Sequence, residues 1–259
     1  MNIQARNNSL FILPYIFLIA GCQEENKVSI PVESKIIVEA TIETERINII
    51  GDSIDDPAVW FNELIPENSM IFASNKQGGI LSYDMDGHFL YSQNLGKVNN
   101  IDIQKNINFE GLNQDLMIGT NRSNNSVILL KVNGFNEPLE LLHEFHLDNF
   151  GEVYGVCAKA DKSSLIALVT SKRGDVKLLQ YDDLVPEKVK VIWSFKFNTQ
   201  VEGCSFDHYG KKVYVGEEDY GIWVSMSDKP DFTPFYSIDK EYLVPDVEGI
   251  SAFNYKGKD

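Results

Sequence analysis

The side chains able to do chemistry fall into two recurring sets. Asp55, Asp56, Asp102, Glu202, Asp246 and Glu248 form an acidic set, and Lys76, Arg122 and Lys172 form a basic set that ends in the acidic run Glu217-Glu218-Asp219. Carboxylates gathered with backbone carbonyls are hard oxygen donors, suited to Ca2+ rather than to zinc. Three cations presented together suit an oxyanion such as phosphate. Combined in one place, the two sets describe a site where metal ions neutralise a polyphosphorylated ligand and polarise a water for attack on phosphorus. The competing reading is the solvated rim of a binding protein, because folds of this kind often bind without catalysing.

The elements that must position these residues read as strands. Short runs rich in β-branched and aromatic residues, among them KIIVEAT, MIFAS, GILSYD, SVILLKV, SLIALVT, VKLLQY, VKVIWSF, KKVYVG and GIWVSM, are each bounded by Gly, Asn, Asp or Pro. This is an all-β pattern. Four segments align as strand, polar corner and strand, and they place Lys76, Arg122, Lys172 and Glu218 at equivalent corners with spacings of 46, 50 and 46 residues. A second series runs through Asp56, Asp102, Tyr154, Glu202 and Glu248 with spacings of 46, 52, 48 and 46. A period of 40 to 50 residues with several short strands per unit is the signature of a β-propeller blade, whose inner strands line a channel and whose loops share a mouth. About four blades are expected from roughly residue 56 to 245. A fifth begins at Glu248, so the chain is expected to be a piece of a longer coding sequence. Asp84-Met85-Asp86-Gly87 reads as a hairpin turn rather than a calcium loop.

The first 21 residues stand apart. Arg6, the apolar run Leu10–Ala20 and the ending Ile19-Ala20-Gly21-Cys22 read as an export signal with a lipobox, cleaved before an acylated Cys22. Eleven apolar residues are too few to cross a bilayer, which takes about 20. Residues 22–45 are expected to hold the lipidated cysteine, a polar tether and a first strand, and 46–259 the propeller. The expected location is a bacterial cell envelope, periplasmic or outer-membrane face, with the lipid at Cys22 as the membrane partner. A net charge of −15 argues against nucleic acid as a partner, and 43% hydrophobic residues argue for a packed core rather than disorder. A monomer is expected. Export leaves Cys157 and Cys204 free to pair, but the simpler expectation is two small buried hydrophobes.

Gly51-Asp52-Ser53-Ile54-Asp55-Asp56-Pro57-Ala58-Val59-Trp60 and Asn99-Asn100-Ile101-Asp102-Ile103 closely resemble the two signature segments of the β-propeller phytases. Ser74-Asn75-Lys76, Asn121-Arg122-Ser123, Val153-Tyr154-Gly155, Glu202-Gly203, Glu217-Glu218-Asp219 and Pro245-Asp246-Val247-Glu248-Gly249 resemble that family too, in its order. The resemblance implies a six-bladed propeller that hydrolyses phytate, myo-inositol hexakisphosphate, as its calcium complex and without a covalent intermediate. By position it implies that Lys76, Arg122, Tyr154 and Lys172 hold phosphate. Asp55, Asp56, Glu202, Glu218, Asp246 and Glu248 would hold calcium or its bridging water, and Asp102 with Asn99 and Asn100 would fix a metal and its loop. Glu202, Glu218, Lys172 and Tyr154 make the implied catalytic group.

Two departures bear on this. Gln104 stands where the family's second signature ends in Arg, and Arg173 stands where an acid is expected, reversing a charge near the implied metal cluster. They motivate the alternative of a non-catalytic propeller that binds anionic or phosphorylated ligands at the envelope. A structural surface propeller is the third possibility. His143 and His146, three apart in an apparent outer strand, face opposite ways and make no joint metal site. Trp60, Trp193 and Trp223 read as packing residues between blades.

Overall fold

The computed structural model describes residues 39–49, 51–109, 112–161, 164–182 and 189–254. The leader, Cys22 and the polar tether lie outside the described residues. Residues 39–49, which include the end of the run expected as a first strand, form no strand. Instead Glu45 N donates to Gly87 O (2.8 Å) and Glu45 Oε2 accepts from Phe89 N (2.9 Å), which lays this segment along a hairpin of the first blade.

Sixteen strands among the described residues form four four-stranded antiparallel sheets, each in chain order. The first blade is β1 (Ile54–Trp60), β2 (Met70–Asn75), β3 (Gly79–Asp84) and β4 (Phe89–Gln93). The second is β5 (Val98–Phe109), β6 (Leu112–Asn121), β7 (Ser126–Lys131) and β8 (Glu140–His146). β9 (Val153–Asp161), β10 (Ser164–Ser171), β11 (Asp175–Asp182) and β12 (Val189–Lys196) make the third. The fourth is β13 (Val201–Phe206), β14 (Lys212–Glu217), β15 (Gly221–Met226) and β16 (Thr233–Ser237). The inner strands β1, β5, β9 and β13 stand side by side in that order. This is the all-β propeller of about four blades that the repeat predicts.

Burial explains the strand sequences. A middle strand is covered on both faces by the neighbouring blades, so β10, SLIALVTS, is buried at every position and reads as a continuous apolar run. Edge strands such as β8, ELLHEFH, are mostly exposed and carry charge, which discourages pairing with other chains. The core lies between blades. Trp60, Phe72, Ile101 and Met117 join the first to the second, Leu129, Val153, Leu165 and Tyr181 the second to the third, and Leu168, Trp193, Val213 and Phe197 the third to the fourth. The tryptophans pack as expected, and each satisfies its indole N–H: Trp60 donates to Asp115 Oδ2, Trp193 to Ser227 O and Trp223 to Glu217 Oε2.

One irregularity recurs in every blade. The register between inner and second strand advances three residues against two from Ile54↔Asn75 to Pro57↔Ala73, and again at Val98/Ile101, Val153/Val156 and Val201/Cys204. This is a β-bulge, which twists the strand and turns adjacent side chains to different faces. It also fixes equivalence. Asp55, Asn99, Tyr154 and Glu202 occupy one position, and Asp56, Asn100, Gly155 and Gly203 the next. The sequence series that aligned Asp102 with Asp56 and Tyr154 is therefore corrected: Asp102 lies three residues further along its strand than Asn99, the true equivalent of Tyr154. Beyond β16 residues 238–254 form no strand, but Val247 is buried and Ala252 N donates to Ser205 Oγ (3.1 Å), so this segment runs beside β13.

Candidate active site

The mouth is built by two repeated devices. The first pins the corner residues: Lys76 N donates to Ser53 O (2.7 Å), Arg122 N to Lys97 O (2.8 Å), Lys172 N to Glu152 O (3.1 Å) and Glu218 N to Gln200 O (3.0 Å). Each corner side chain thereby starts from the same place at the head of its blade. The second device is a buried hydroxyl two residues before the corner. Ser74, Thr120 and Thr170 accept from the bulge amides of Asp56, Asn100 and Gly155 (2.9, 3.1 and 2.9 Å). They donate in turn to the carbonyls of Asn99, Tyr154 and Glu202 in the next blade. Sequence reasoning missed this series, although its spacing of 46 and 50 repeats that of the corners. The inner strands come so close here that a Cβ on Gly155 would stand 1.8 Å from Glu202 O, and one on Gly203 2.0 Å from Glu248 O. Only glycine fits.

Arg122 from the second blade and Lys172 from the third converge on Tyr154. Their cationic groups lie 5.9 and 5.0 Å from its ring centroid. Glu152, which sequence reasoning also missed, holds them there: its Oε1 is 2.6 Å from Arg122 Nε and 3.4 Å from Lys172 Nζ. Burial opposes the Glu152 charge, but the two cations outweigh it and keep this carboxyl below its ordinary range. Lys76 sits one blade round, bridging Asp52 (2.8 Å) and Asp55 (3.0 Å).

Glu202 is 4% exposed. Its Oε1 accepts from Asn99 Nδ2 (2.9 Å), which also reaches Asn100 Oδ1 (2.7 Å), while Arg122 Nη1 donates to Asn99 Oδ1 (3.2 Å). Glu202 Oε2 is buried with no hydrogen-bond partner among the described residues. Burial, then the charges of Asp55, Glu248 and Glu218, push its carboxyl up to about 8. Burial also raises Glu218, with Asp246, Glu248 and Asp219 adding to it against the hydrogen bond from Gln200 Nε2 (2.6 Å). The Tyr154 hydroxyl is held neutral by burial and by the Glu202 and Glu218 charges. Glu217 leaves the mouth: it is buried and caps Asn198 N, Thr199 N and the Trp223 indole.

Asp56, Asn100 and Asp102 line a cavity of about 950 Å3 between the inner strands that none of the three corner cations lines, and Glu248 lines it too while its charge also acts on Glu202 and Glu218 in the mouth. Asp56 Oδ2 accepts from Ile101 N (2.9 Å), and burial with the Asp102 and Asp55 charges pushes it up to about 7. Asp102 Oδ2 accepts from Ala158 N (2.6 Å), and burial carries it to about 6. The implied ligand set is thus split between mouth and channel. Gln104 belongs to the channel wall, where its Oε1 accepts from Ala160 N (3.2 Å). Arg173 is exposed and bonds Asp175 Oδ2 (3.2 Å), so the reversed charge feared at the metal cluster is spent on a neighbour in its own corner.

As a test for calcium, the donor chemistry fits. The site offers only oxygen donors, a partnerless buried carboxylate oxygen and like charges that a cation would relieve. Among the described residues no three His, Cys, Asp or Glu side chains form a ready cage for a metal ion. Cys157 and Cys204 are corrected as well: they form a disulfide rather than two free thiols, because inner strands of adjacent blades bring them together.

Fold and mouth define a class, a β-propeller whose inner strands bring carboxylates, and whose corners bring cations, to one rim. The family model described as Phytase matches residues 10–258, and the chain belongs to the phytase family. It is 30% identical over 228 residues to the 3-phytase of Bacillus subtilis (strain 168). That alignment covers 83% of this chain and 60% of the relative, so the chain spans less than two thirds of that protein's length.

Proposed function

We propose that this chain carries the mouth of a calcium-dependent phytase, releasing inorganic phosphate from phytate. The observation that carries the reading is the buried, partnerless Glu202 oxygen ringed by the charges of Asp55, Glu248 and Glu218, in a mouth where Arg122 and Lys172 close on Tyr154. Corner cations supplied by three blades suit a ligand bearing several phosphates better than one bearing a single phosphate. Phosphate oxygens would displace Glu152 from Arg122 and Lys172, while Lys76 takes a neighbouring phosphate. Tyr154, neutral throughout, donates its hydroxyl to the bound phosphate. Asp55, Glu202 and Glu218, with Asp246 and Glu248, would hold calcium, which supplies charge neutralisation and a more acidic water. Glu202 keeps a proton at neutral pH while no cation faces it and gives it up when one does.

The test is phosphate release from phytate by the purified chain, with calcium and with chelator. Release that requires calcium supports the reading. Calcium-dependent binding of phytate without release would replace it by the binding module, and neither binding nor release would defeat both. Export and acylation at Cys22 are part of the proposal, supported by the apolar run that ends in Ile19-Ala20-Gly21-Cys22. Palmitate labelling of the expressed chain, lost in Cys22→Ser, is the expected result. A monomer is expected by gel filtration.

A further inference from the structure

Each seam between neighbouring inner strands carries a side-chain link. At the first, Asp56 Oδ2 accepts from Ile101 N, and at the second, Asp102 Oδ2 accepts from Ala158 N. Past β13, Ser205 Oγ accepts from Ala252 N. The bulge registers make Asp102, Cys157 and Ser205 equivalent, four residues beyond Val98, Val153 and Val201. They make Ala158 and Phe206 equivalent as well. At the third seam the residue in this place is Cys157, and it bonds the sulfur of Cys204 in place of a backbone amide. The place that carries a hydrogen-bonded link in Asp102 and Ser205 carries a covalent one in Cys157, while the first seam is linked from Asp56, two residues nearer its bulge.

That seam sets Tyr154 against Glu202. Tyr154 lies three residues before Cys157 and Glu202 two before Cys204, and between them Gly155 meets the Glu202 carbonyl with no room for a Cβ. A hydrogen bond tolerates a slide of one strand along the other; a disulfide does not. We propose that the Cys157–Cys204 disulfide is a positioning element of the mouth, fixing β13 against β9 so that Tyr154 and Glu202 face the same phosphate. The inference rests on the phytate reading of that mouth. Dithiothreitol would reduce the bond to two thiols, itself becoming the cyclic disulfide, and free the seam.

The experiment compares the oxidised chain, the chain reduced with dithiothreitol, and the pairs Cys157→Ala/Cys204→Ala and Cys157→Ser/Cys204→Ala. Phosphate release, melting temperature and hydrogen exchange at residues 153–156 and 201–204 are measured on each. The alanine pair and the reduced chain are expected to lose kcat by roughly tenfold, as a small misplacement of reacting groups does, with KM within about twofold. Exchange at both bulges rises. The serine pair, which places a hydroxyl where Ser205 has one, recovers most of the loss. Ser225→Ala, at a buried serine in β15 away from the mouth, lowers the melting temperature with kcat unchanged and so separates stability from positioning. Equal kcat in the oxidised chain and the alanine pair, or equal loss in the serine and alanine pairs, overturns the proposal. If the alanine pair does not fold, the reduced chain supplies the comparison. If the oxidised chain releases no phosphate, the phytate reading fails and exchange alone decides: faster exchange at the bulges on reduction keeps the positioning role, and unchanged exchange removes it.

Discussion

At the scale of single residues, the mouth sets opposite demands on its two kinds of charge. Glu202 is unfavourable as an anion until a cation faces it, so Glu202→Gln should raise the melting temperature in chelator at pH 9 and leave it nearly unchanged at pH 4, where the carboxyl is protonated in the folded chain and largely so in the unfolded one. The same variant should lower phosphate release by roughly 100-fold or more, because a ligand of the calcium that would stabilise the developing charge is gone. Lys172 is a half-exposed partner of Glu152, and such pairs contribute about 1 kcal/mol or less to stability. Lys172→Met should therefore leave the melting temperature within a degree or two while raising KM roughly tenfold, the worth of one hydrogen bond to a charged group. Steady-state kinetics beside thermal melts checks both. A fall in kcat with KM unchanged in Lys172→Met would move that residue from holding phosphate to the reaction itself.

Among elements, the hydroxyls joining one blade to the next make the sharpest case. Thr170 is fully buried and serves Gly155 N and Glu202 O together, so Thr170→Val keeps the shape and strands two backbone groups. The expected cost is about 1–3 kcal/mol, read as a lower urea midpoint at constant slope. The corner series was legible in the sequence because corner and second strand are joined directly, and nothing between them varies. The inner series was not, because the hairpin separating inner strand from corner changes length. From Asp55 to Lys76 is 21 residues, from Asn99 to Arg122 23, from Tyr154 to Lys172 18 and from Glu202 to Glu218 16. That drift let Asp102 imitate the position belonging to Asn99. Glu152 left no trace either, since a lone acid gains meaning only when Arg122 and Lys172 arrive from two blades. The disulfide required knowing that β9 and β13 are neighbours.

For the whole molecule, the raised carboxyls have a joint consequence. Asp56 and Asp102 reach about 7 and 6 and Glu202 about 8, all above the ordinary range near 4 of an unfolded chain. Between those limits the folded protein binds more protons than the unfolded one. The stability these groups contribute is therefore full below about pH 4 and lost as pH rises through 6 to 8. In chelator the melting temperature should fall by roughly 5 °C or more from pH 5 to pH 8, and calcium should restore more of it at pH 8 than at pH 5, since it competes with protons for the same oxygens. A melting temperature indifferent to calcium at pH 8 would place the cation elsewhere or nowhere. The β1–β2 and β13–β14 hairpins, which differ in length, lie at the end of their blades away from the mouth, and this makes the two ends separately editable. The β1–β2 connection already carries Leu64 at 93% exposure. An affinity handle or reporter peptide spliced in after Leu64 should be carried as cargo, leaving phosphate release as it was, whereas the same splice after Gln77, beside the Lys76 corner, should abolish it.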